Sequence, residues 1–589
     1  MRLGALRQRP TGGTLACGAL LLGVGALVLY PTYMLLYGSL WSARPGFPGH
    51  FTLAHYVATA TDPQTYQVLL TSLLVVAAET LLATAIAVYL AWLVTRTNVP
   101  YRPLIEVVAP LAFFVPGLLT AIGWAILANP RNGSLNQLIA AVLRLEEGPI
   151  DIYSYGGIVF VMALHSAAFV YLLVVPAFRN LDASLEEGAH MSGAGSWQAF
   201  WRITLPLLLP ALSGAMLLAF IAGLEAFETP VILGTPARIF LFTNEIHYAM
   251  TVSVPPNVGR AMTLGVWLVV LTLLLVALQW RLLGRRAFTT VTGKGYRPQV
   301  MDLGAWRWPA FGLFLVYALL AVGLPIGQIF ATSFFRVFGL FSWDLFTLDN
   351  YRQVLTDPLL GRAARNTLFV AGAAATLVVL LSGGVAYVVV RTRFAGRRVL
   401  ELLSWLPWTL PGIVLSLAML WAYIRVPGLY GTVLILLVAY VTHGLPIGTR
   451  ILAGTMAQYS ADLEESARMS GASWWTTFRR VVLTLLRPSL VAAWLLLASI
   501  FVRTLSLPVM LTVPGNEVLS VLTLSYWDQG QGAKVAVIAM LTLGLLVLLT
   551  LADVAARHQA AIRARFARPA APPRSSGAPA QAPSLQSTS

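Results

Sequence analysis

Charge and cysteine are both scarce in this sequence. Only 11% of its residues are Asp, Glu, Lys or Arg, whereas a soluble domain carries about 25%. Hydrophobic residues make up 58% and the mean hydropathy is +0.76, which predicts an all-α polytopic membrane protein. The one cysteine, Cys17, excludes a disulfide within the chain and any cysteine-based metal site.

Lysine is also rare, since Lys294 and Lys534 are the only two, and arginine carries most of the net charge of +16. A basic balance can indicate nucleic-acid binding, but here the arginines gather in alternate loops. If the N-terminus is cytoplasmic, 27 of the 39 basic residues lie in inner segments and 11 in outer loops, with Arg503 inside a span. The positive-inside rule therefore predicts that both termini are cytoplasmic, and the basic balance is explained without a nucleic-acid partner.

Motifs for chemistry are missing as well. The stretch Thr292-Gly-Lys-Gly295 lacks the first glycine and the hydroxyl of a phosphate-binding loop, and no His-Glu-x-x-His or nucleophile elbow occurs. We therefore expect no enzymatic activity, no metal site and no cofactor on this chain.

What the sequence does have is a series of long apolar runs. The first, Leu15 to Trp41, is too long for a signal peptide and is predicted to remain as a spanning helix. A span needs about 20 residues, and about twelve candidates result. They are 14–40, 68–95, 104–128, 156–178, 209–234, 261–283, 309–335, 366–391, 400–424, 430–452, 488–514 and 535–556.

An arginine-rich stretch divides these runs into two sets of six. The predicted organisation is a cytoplasmic N-terminus (1–13), a first transmembrane domain (14–283, core repeat 68–283), a cytoplasmic linker (284–308), a second transmembrane domain (309–556, core repeat 366–556) and a disordered cytoplasmic tail (557–589).

The two halves are repeats of each other. Asp62-Pro63 and Arg96 recur 295 residues later, whereas Pro210 recurs as Pro488 after 278. The first half therefore has 17 extra residues, which fit best in the connection 129–155. Because each half holds an even number of spans, the repeats are parallel, with a pseudo-two-fold axis along the membrane normal.

The most specific repeat is a polar loop, found at 184–206 and 462–484. Ser184 with Glu187, and Asp462 with Glu465, have the spacing of a capping box, which predicts a short helix in each copy. Gly193 and Gly471 would end these helices in a left-handed conformation. A second amphipathic helix should follow, at 197–205 and 474–483.

This pattern resembles the EAA loop of the permeases of binding-protein-dependent ABC importers, and predicts an ABC type-1 permease-like fold with two fused parallel repeats. The residues that carry the resemblance are Glu187, Gly188, Ala189, Gly193, Ile203, Leu205 and Pro206 in the first copy, and Glu465, Ser466, Ala467, Gly471, Val481 and Leu483 in the second, where Thr484 replaces the expected proline.

The resemblance implies two copies of a separate ATP-binding subunit, which would hold ATP and Mg²⁺ and receive one loop each. Phe200 and Phe478 would be apolar anchors, either on that subunit or on this chain's own helices. An extracytoplasmic solute-binding protein would deliver a small ligand. The permeases for ferric iron and thiamine are the most similar, on the segments Gly223-Leu-Glu-Ala-Phe-Glu-Thr-Pro230 and Val502-Arg-Thr-Leu-Ser-Leu-Pro508.

Charged residues inside spans are costly and indicate function. Glu225, Glu228 and Arg503 are candidates for the translocation path, and Glu225 aligns with Arg503. They are expected either to pair across the pseudo-axis or to find local partners. His165 aligns with His443, for which hydrogen bonds between helices are favoured over a metal site.

Two further features leave alternatives open. Pro116-Gly117 and Pro411-Gly412 interrupt the third and ninth runs, as hinges or as static kinks. A major-facilitator-type secondary transporter also has twelve spans in two parallel repeats, but the loop Arg96–Arg102 lacks the acidic residue expected there.

Overall fold

The computed structural model describes residues 12–181, 184–283, 301–336 and 343–566. Within these ranges the secondary structure is helical apart from three isolated β-bridges, which confirms the all-α class. Ten helices are long and apolar enough to cross a membrane, and two bent pairs bring the number to twelve, by length and composition. The spans, numbered from first to twelfth, are Gly13–Ser39, Pro63–Arg96, Arg102–Phe114 with Gly117–Leu127, Tyr155–Asn180, Trp197–Glu225, Val258–Arg281, Gly304–Ser333, Pro358–Arg391, Arg397–Thr409 with Gly412–Tyr423, Val433–Gln458, Trp474–Arg503 and Gly532–Ala556.

The fifth and eleventh spans end earlier than predicted, at Glu225 and Arg503. Apolar sequence continues in both, but Pro230 and Pro508 have no N–H group to donate to the carbonyl four residues before. The freed carbonyl of Ala226 accepts from the Thr243 hydroxyl at 2.6 Å. The matching carbonyl, four residues before Pro508, accepts from the Ser520 hydroxyl at 2.9 Å.

The tail also differs from its prediction at its start. The last helix runs on from the twelfth span to Phe566, so residues 557–566 are helical where disorder was expected. The rest of the tail, the linker residues 284–300 and residues 1–11 lie outside the described ranges.

Corresponding spans pack in the same way in the two halves. The second span packs along the fourth, and the eighth packs along the tenth. The third and ninth spans bend by 93° and 109°, each immediately before the glycine of its Pro-Gly pair. The 17-residue difference falls where predicted, because the first half carries an added helix, Ser134–Leu143, between its third and fourth spans.

The two halves are interlocked by an exchange of helices. The first span packs on Gly412–Tyr423 of the second half, and the seventh span packs on Gly117–Leu127 of the first half. Both crossings are close: a Cβ atom at Gly123 would lie 2.6 Å from the Pro325 carbonyl oxygen. The broken helices are therefore enclosed by protein on both sides of the pseudo-axis.

The two longest spans begin at equivalent aspartates. Asp62 and Asp357 each cap a 34-residue helix, accepting from a backbone N–H at 3.0 Å and 2.9 Å. Asp357 also accepts from the Tyr526 hydroxyl at 2.8 Å. Burial raises the pKa of Asp357, but the hydrogen bonds from Tyr526 and from the backbone, with Lys534 nearby, leave it below its ordinary value.

Replacing Asp357 by Ala is expected to lower the melting temperature of the purified protein in detergent. The helix N-terminus loses its cap, which costs about 1–2 kcal/mol, and the Tyr526 hydroxyl loses its acceptor. Asp344→Ala is the control, because Asp344 is exposed in the same connection between the seventh and eighth spans. Equal melting temperatures for the two variants would show that the cap does not stabilise the fold.

Candidate functional site

Each of the two repeated loops is a short helix followed by a glycine turn. The helices are Ser184–Met191 and Asp462–Met469. Gly193 and Gly471 adopt φ of +82° and +83°, which is the left-handed conformation predicted for them. The amide of the next residue bonds back into the helix at 3.0 Å in the first loop and 3.1 Å in the second.

The predicted capping box is wrong in the second loop. Asp462 lies inside the helix, and the N-cap residue is Ala461, whose side chain makes no capping hydrogen bond. The backbone amide of Asp462 instead donates to the Ser460 hydroxyl at 3.2 Å. In the first loop the side chains of Ser184 and Glu187 lie outside the described part of the chain.

The second short helix of each loop is also not a separate element. A π-helical turn, Phe200–Thr204 in one half and Phe478–Val482 in the other, joins it to the following span. Pro206 lies in the first turn of the continuing α-helix, where its missing N–H is tolerated. Thr484 has the same place in the second half, and the π-helical turn ends at the equivalent residue in both halves. The absent proline therefore does not change where the α-helix of the span begins.

An arginine at the end of a long span holds each loop. In the second half the Arg391 guanidinium lies 3.0 Å from Glu464 and donates to the carbonyls of Met456 and Tyr459 at 3.1 and 2.7 Å. Arg96 makes the equivalent contacts in the first half, 3.6 Å from Glu186.

We call these two arginine–glutamate contacts, Arg96 with Glu186 and Arg391 with Glu464, the clamps. Each clamp holds its loop against the ends of two spans. Sequence reasoning had matched the two arginines but missed their glutamate partners. The signal was present, because Glu186 and Glu464 repeat at the spacing of the loops themselves.

The aromatic residues of the loops divide into internal anchors and exposed groups. Phe478 packs on Tyr387 of the eighth span, with ring centroids 5.6 Å apart, and Phe200 packs on Trp92 at 6.2 Å. The predicted anchors therefore contact this chain's own helices. Trp197 remains 68% exposed.

The most exposed apolar side chains of the loops are at their tips. Met191 and Met469 are 91% and 89% exposed, immediately before the glycine turns. Sequence reasoning did not single them out, although the same residue type stands at the same place in both copies. Met191 and Met469 are thus two exposed apolar side chains on helices whose positions are fixed, and such a surface can bind a partner.

A cavity of about 380 Å³ is lined by residues of both halves. It gathers most of the charged and breaking residues that the sequence indicated. The lining includes Glu225, Glu228 and Arg503, the glycines Gly117 and Gly412 that follow the breaking prolines Pro116 and Pro411, and the histidines His165 and His443.

Of the two alternatives for Glu225 and Arg503, a mutual pair or separate partners, the structure shows separate partners for Arg503. Arg503 donates to the Phe113 carbonyl and lies 4.9 Å from the centre of the Phe113 ring. Its electrostatic partner is Glu228, while Oε1 of Glu225 has no hydrogen-bond partner. Equivalent sequence positions did not meet, because Arg503 extends toward the broken third span and not across to its own counterpart.

The sequence favoured hydrogen bonds between helices for His165 and His443, and Nδ1 of neither ring makes one. Both residues line the cavity. The part of the chain that the structure describes contains no group of three or more His, Cys, Asp or Glu side chains arranged to hold a metal ion.

Glu79, for which the sequence suggested no role, is fully buried beside this cavity. Its Oε2 accepts from the Thr80 hydroxyl at 3.1 Å and would lie 3.1 Å from a Cβ at Gly223. In the second half Phe501 replaces that glycine, and a Cβ at Gly444 would lie 2.6 Å from the Phe501 ring. The two halves therefore fill equivalent space differently, with a carboxylate in one and an aromatic ring in the other.

Twelve spans in two parallel repeats, with paired clamped loops and a cavity lined by charged residues of both halves, define a membrane-embedded transport permease. The family model for the inner membrane component of binding-protein-dependent transport systems matches residues 80–289 and 378–561. The chain belongs to this family, and the major-facilitator alternative is wrong.

Proteins with similar sequences are also permeases. A putative ferric transport system permease of Haemophilus influenzae is 31% identical over 60% of this chain and 56% of its own length. The ferric transport system permease of Actinobacillus pleuropneumoniae is 30% identical over 68% of this chain and 58% of its own. The sulfate transport system permease of Escherichia coli is 29% identical over 40% of this chain and 83% of its own. The match thus spans little more than half the length of the two ferric permeases, and these relatives are transport subunits, not enzymes.

Removing one clamp should loosen one loop only. Arg391→Ala is expected to raise amide hydrogen exchange in 462–469, because Glu464 and two carbonyls lose their partner, and to leave 184–191 unchanged. Hydrogen-exchange mass spectrometry of the purified protein measures both segments. Arg393→Ala, an exposed arginine two residues away, is the control. Unchanged exchange in 462–469 would mean that the clamp does not order the loop.

Proposed function

We propose that this chain is the permease subunit of an ATP-driven importer and forms the path for a small ligand, ferric iron or similar. An extracytoplasmic binding protein delivers the ligand to the outer face. Two copies of an ATP-binding subunit carry ATP and Mg²⁺ and drive the cycle. The protein lies in the inner membrane, with both termini and both loops on the cytoplasmic side.

The observation that carries this proposal is the pair of exposed loop tips. The chain has no phosphate-binding motif of its own, so a motor must act on it from outside. Met191 and Met469 project from helices that are fixed at the other end by Arg96 and Arg391. A force applied to either tip is therefore transmitted to the protein and not absorbed by a flexible loop.

The path from tip to cavity supports the proposal mechanically. In each half one helical element, Trp197–Glu225 or Trp474–Arg503, runs from the loop to the cavity. At about 1.5 Å per residue, an element of 29 or 30 residues is roughly 45 Å long. Movement of the loops thus repositions Glu225 and Arg503, while the breaks at Pro116-Gly117 and Pro411-Gly412 act as hinges beside them.

Charge reversal in the loops tests the docking. The double variant Glu187→Arg, Glu465→Arg is expected to lose the ATP-binding subunit during affinity purification from membranes. Mass spectrometry of the purified complex and its ATPase activity are measured. Glu401→Arg, an exposed glutamate on the end of another span, should retain both. Full retention by the double variant would overturn the assignment of these loops.

Single changes at the tips test whether the loops are equivalent. Met191→Asp and Met469→Asp should each weaken retention of the ATP-binding subunit. In the complex the methionine side chain would be buried against that subunit, and burying an aspartate carboxylate there instead would cost its desolvation free energy. Met191→Leu and Met469→Leu keep the apolar surface and should retain binding. A loss confined to one position would show that only that loop couples tightly, and no loss at either would show that the tips are not contact residues.

A further inference from the structure

We infer that the first half binds a phospholipid of the bilayer, with one acyl chain in each of two apolar grooves and a zwitterionic headgroup beside Asp151. Both grooves are lined by the start of the fourth span, Tyr155–Asn180, and they share Gly156. This end of the span is opposite the repeated loops, so the lipid belongs to the outer leaflet in the proposed orientation. A reversed orientation would change the leaflet and not the site.

The first groove lies between the second and fourth spans. It has a volume of about 570 Å³, and its wall includes Leu70 and Leu74. These two side chains are 58% and 60% exposed. Because both residues belong to a membrane span, the hydrocarbon core of the bilayer contacts whatever surface the protein leaves open there. The occupant of this groove is therefore an acyl chain.

The length of the first groove matches one leaflet. From Gln67 to Ala78 the second span rises about 16 Å at ~1.5 Å per residue, and half of a hydrocarbon core of about 30 Å is about 15 Å. The polar lining residues Gln67 and Thr71 lie toward the membrane surface, together with Tyr155, which is 52% exposed. Tyrosine is common at this level of a membrane. An acyl chain that enters beside Tyr155 thus reaches the centre of the bilayer.

The second groove is built by the insertion of the first half. It has a volume of about 460 Å³ and is lined by Leu135 of the added helix and by residues 149–152. The Asn136 side chain joins these two pieces, because it donates to the Ile150 carbonyl at 2.7 Å and accepts from the Ile150 amide at 2.9 Å. The wall is therefore held by the protein itself. The other apolar lining residues are Trp124, Phe160 and Leu320.

The second half has larger or charged residues at the equivalent positions. Gly156, where the two grooves meet, corresponds to Leu434. Leu70 corresponds to Arg365, which is exposed and would place a guanidinium group against an acyl chain. The second half also lacks the insertion that forms the second groove. The lipid site is therefore a property of the first half alone.

Charge selects the headgroup. Among the described residues that line the two grooves, Asp151 is the one with a charged side chain, and it is exposed. Its carboxylate attracts the ammonium group of phosphatidylethanolamine and has no such partner in phosphatidylglycerol, whose net charge is negative. The side-chain amide of Gln67 can donate to the phosphate group. A zwitterionic phospholipid is therefore favoured over an anionic one.

Native mass spectrometry of the purified full-length permease, incubated in detergent with defined phospholipids, tests the inference. One phosphatidylethanolamine molecule should stay bound to the wild type when the other lipids are removed. Gly156→Leu should bind it at least about tenfold more weakly, which is about 1.4 kcal/mol, because the leucine side chain fills the point where the grooves meet. The backbone tolerates this change, since a Cβ at Gly156 would meet only the Ser154 hydroxyl, at 3.9 Å.

Two further variants separate the grooves from the headgroup. Gly454→Leu is the matched control, because this glycine of the tenth span is exposed and a Cβ there would meet nothing within 4 Å. It should bind lipid as the wild type does. Asp151→Asn should still bind a phospholipid but lose most of the preference for phosphatidylethanolamine over phosphatidylglycerol.

The opposing outcomes are equally measurable. The inference is overturned if the wild type retains no lipid, if Gly156→Leu retains as much as the wild type, or if phosphatidylglycerol binds more tightly than phosphatidylethanolamine. A dimer of the permease that disappears in Gly156→Leu would also overturn it, because a second copy of this chain would then cover the grooves.

Discussion

The structure depends on how backbone groups are satisfied where helices break within the membrane. A bilayer offers no water to a freed carbonyl, so non-helical backbone is tolerated only where protein or a polar cavity covers it. The carbonyl groups released by Pro230 and Pro508 are both bonded by hydroxyl groups, from Thr243 and Ser520. The cavity lies beside these breaks, lined by residues such as Ala226 and Thr504. The exchange of the first and seventh spans between the halves encloses the same region.

This constraint links the loops to the cavity. At their loop ends, the fifth and eleventh spans continue through a π-helical turn into the loops. At their other ends, the α-helices stop at Glu225 and Arg503. Each span therefore ends at a charged residue inside the cavity and begins at an aromatic cluster on the surface. The clamps at Arg96 and Arg391 fix the surface end against two further spans.

Much of this architecture could be predicted from the sequence. The apolar runs gave twelve spans, the offsets of 295 and 278 placed the insertion, and Gly193 and Gly471 were recognised as left-handed turns. These features depend on composition and on local backbone conformation. Each of these features can therefore be recognised from one continuous segment of the sequence.

The errors have a common physical cause. Hydropathy continued through 226–234, so the end of the fifth span depended on a proline and on a hydroxyl from a distant helix. The spacing of Asp462 and Glu465 matched a capping box, yet the helix began one residue earlier, at the cost of its side-chain cap. Glu225 and Arg503 were matched by repeat position, but long side chains bind what lies within their reach. Contacts between elements decided each case, and no local pattern encodes them.

The two halves diverge both beside the cavity and at the surface loops. Glu79 fits because Gly223 leaves space, whereas in the second half Ala374 stands at the position of Glu79 and Phe501 fills the equivalent space against Gly444. Glu186 accepts a hydrogen bond from Thr204 at 2.6 Å, and valine stands at the matching position 482. At these positions the first half thus carries the acidic and polar groups, and the second half carries Arg503 and the apolar side chains of Phe501 and Val482. Because an exact two-fold copy would place like charges opposite each other around the axis, loss of symmetry at these positions lets Arg503 of one half interact electrostatically with Glu228 of the other.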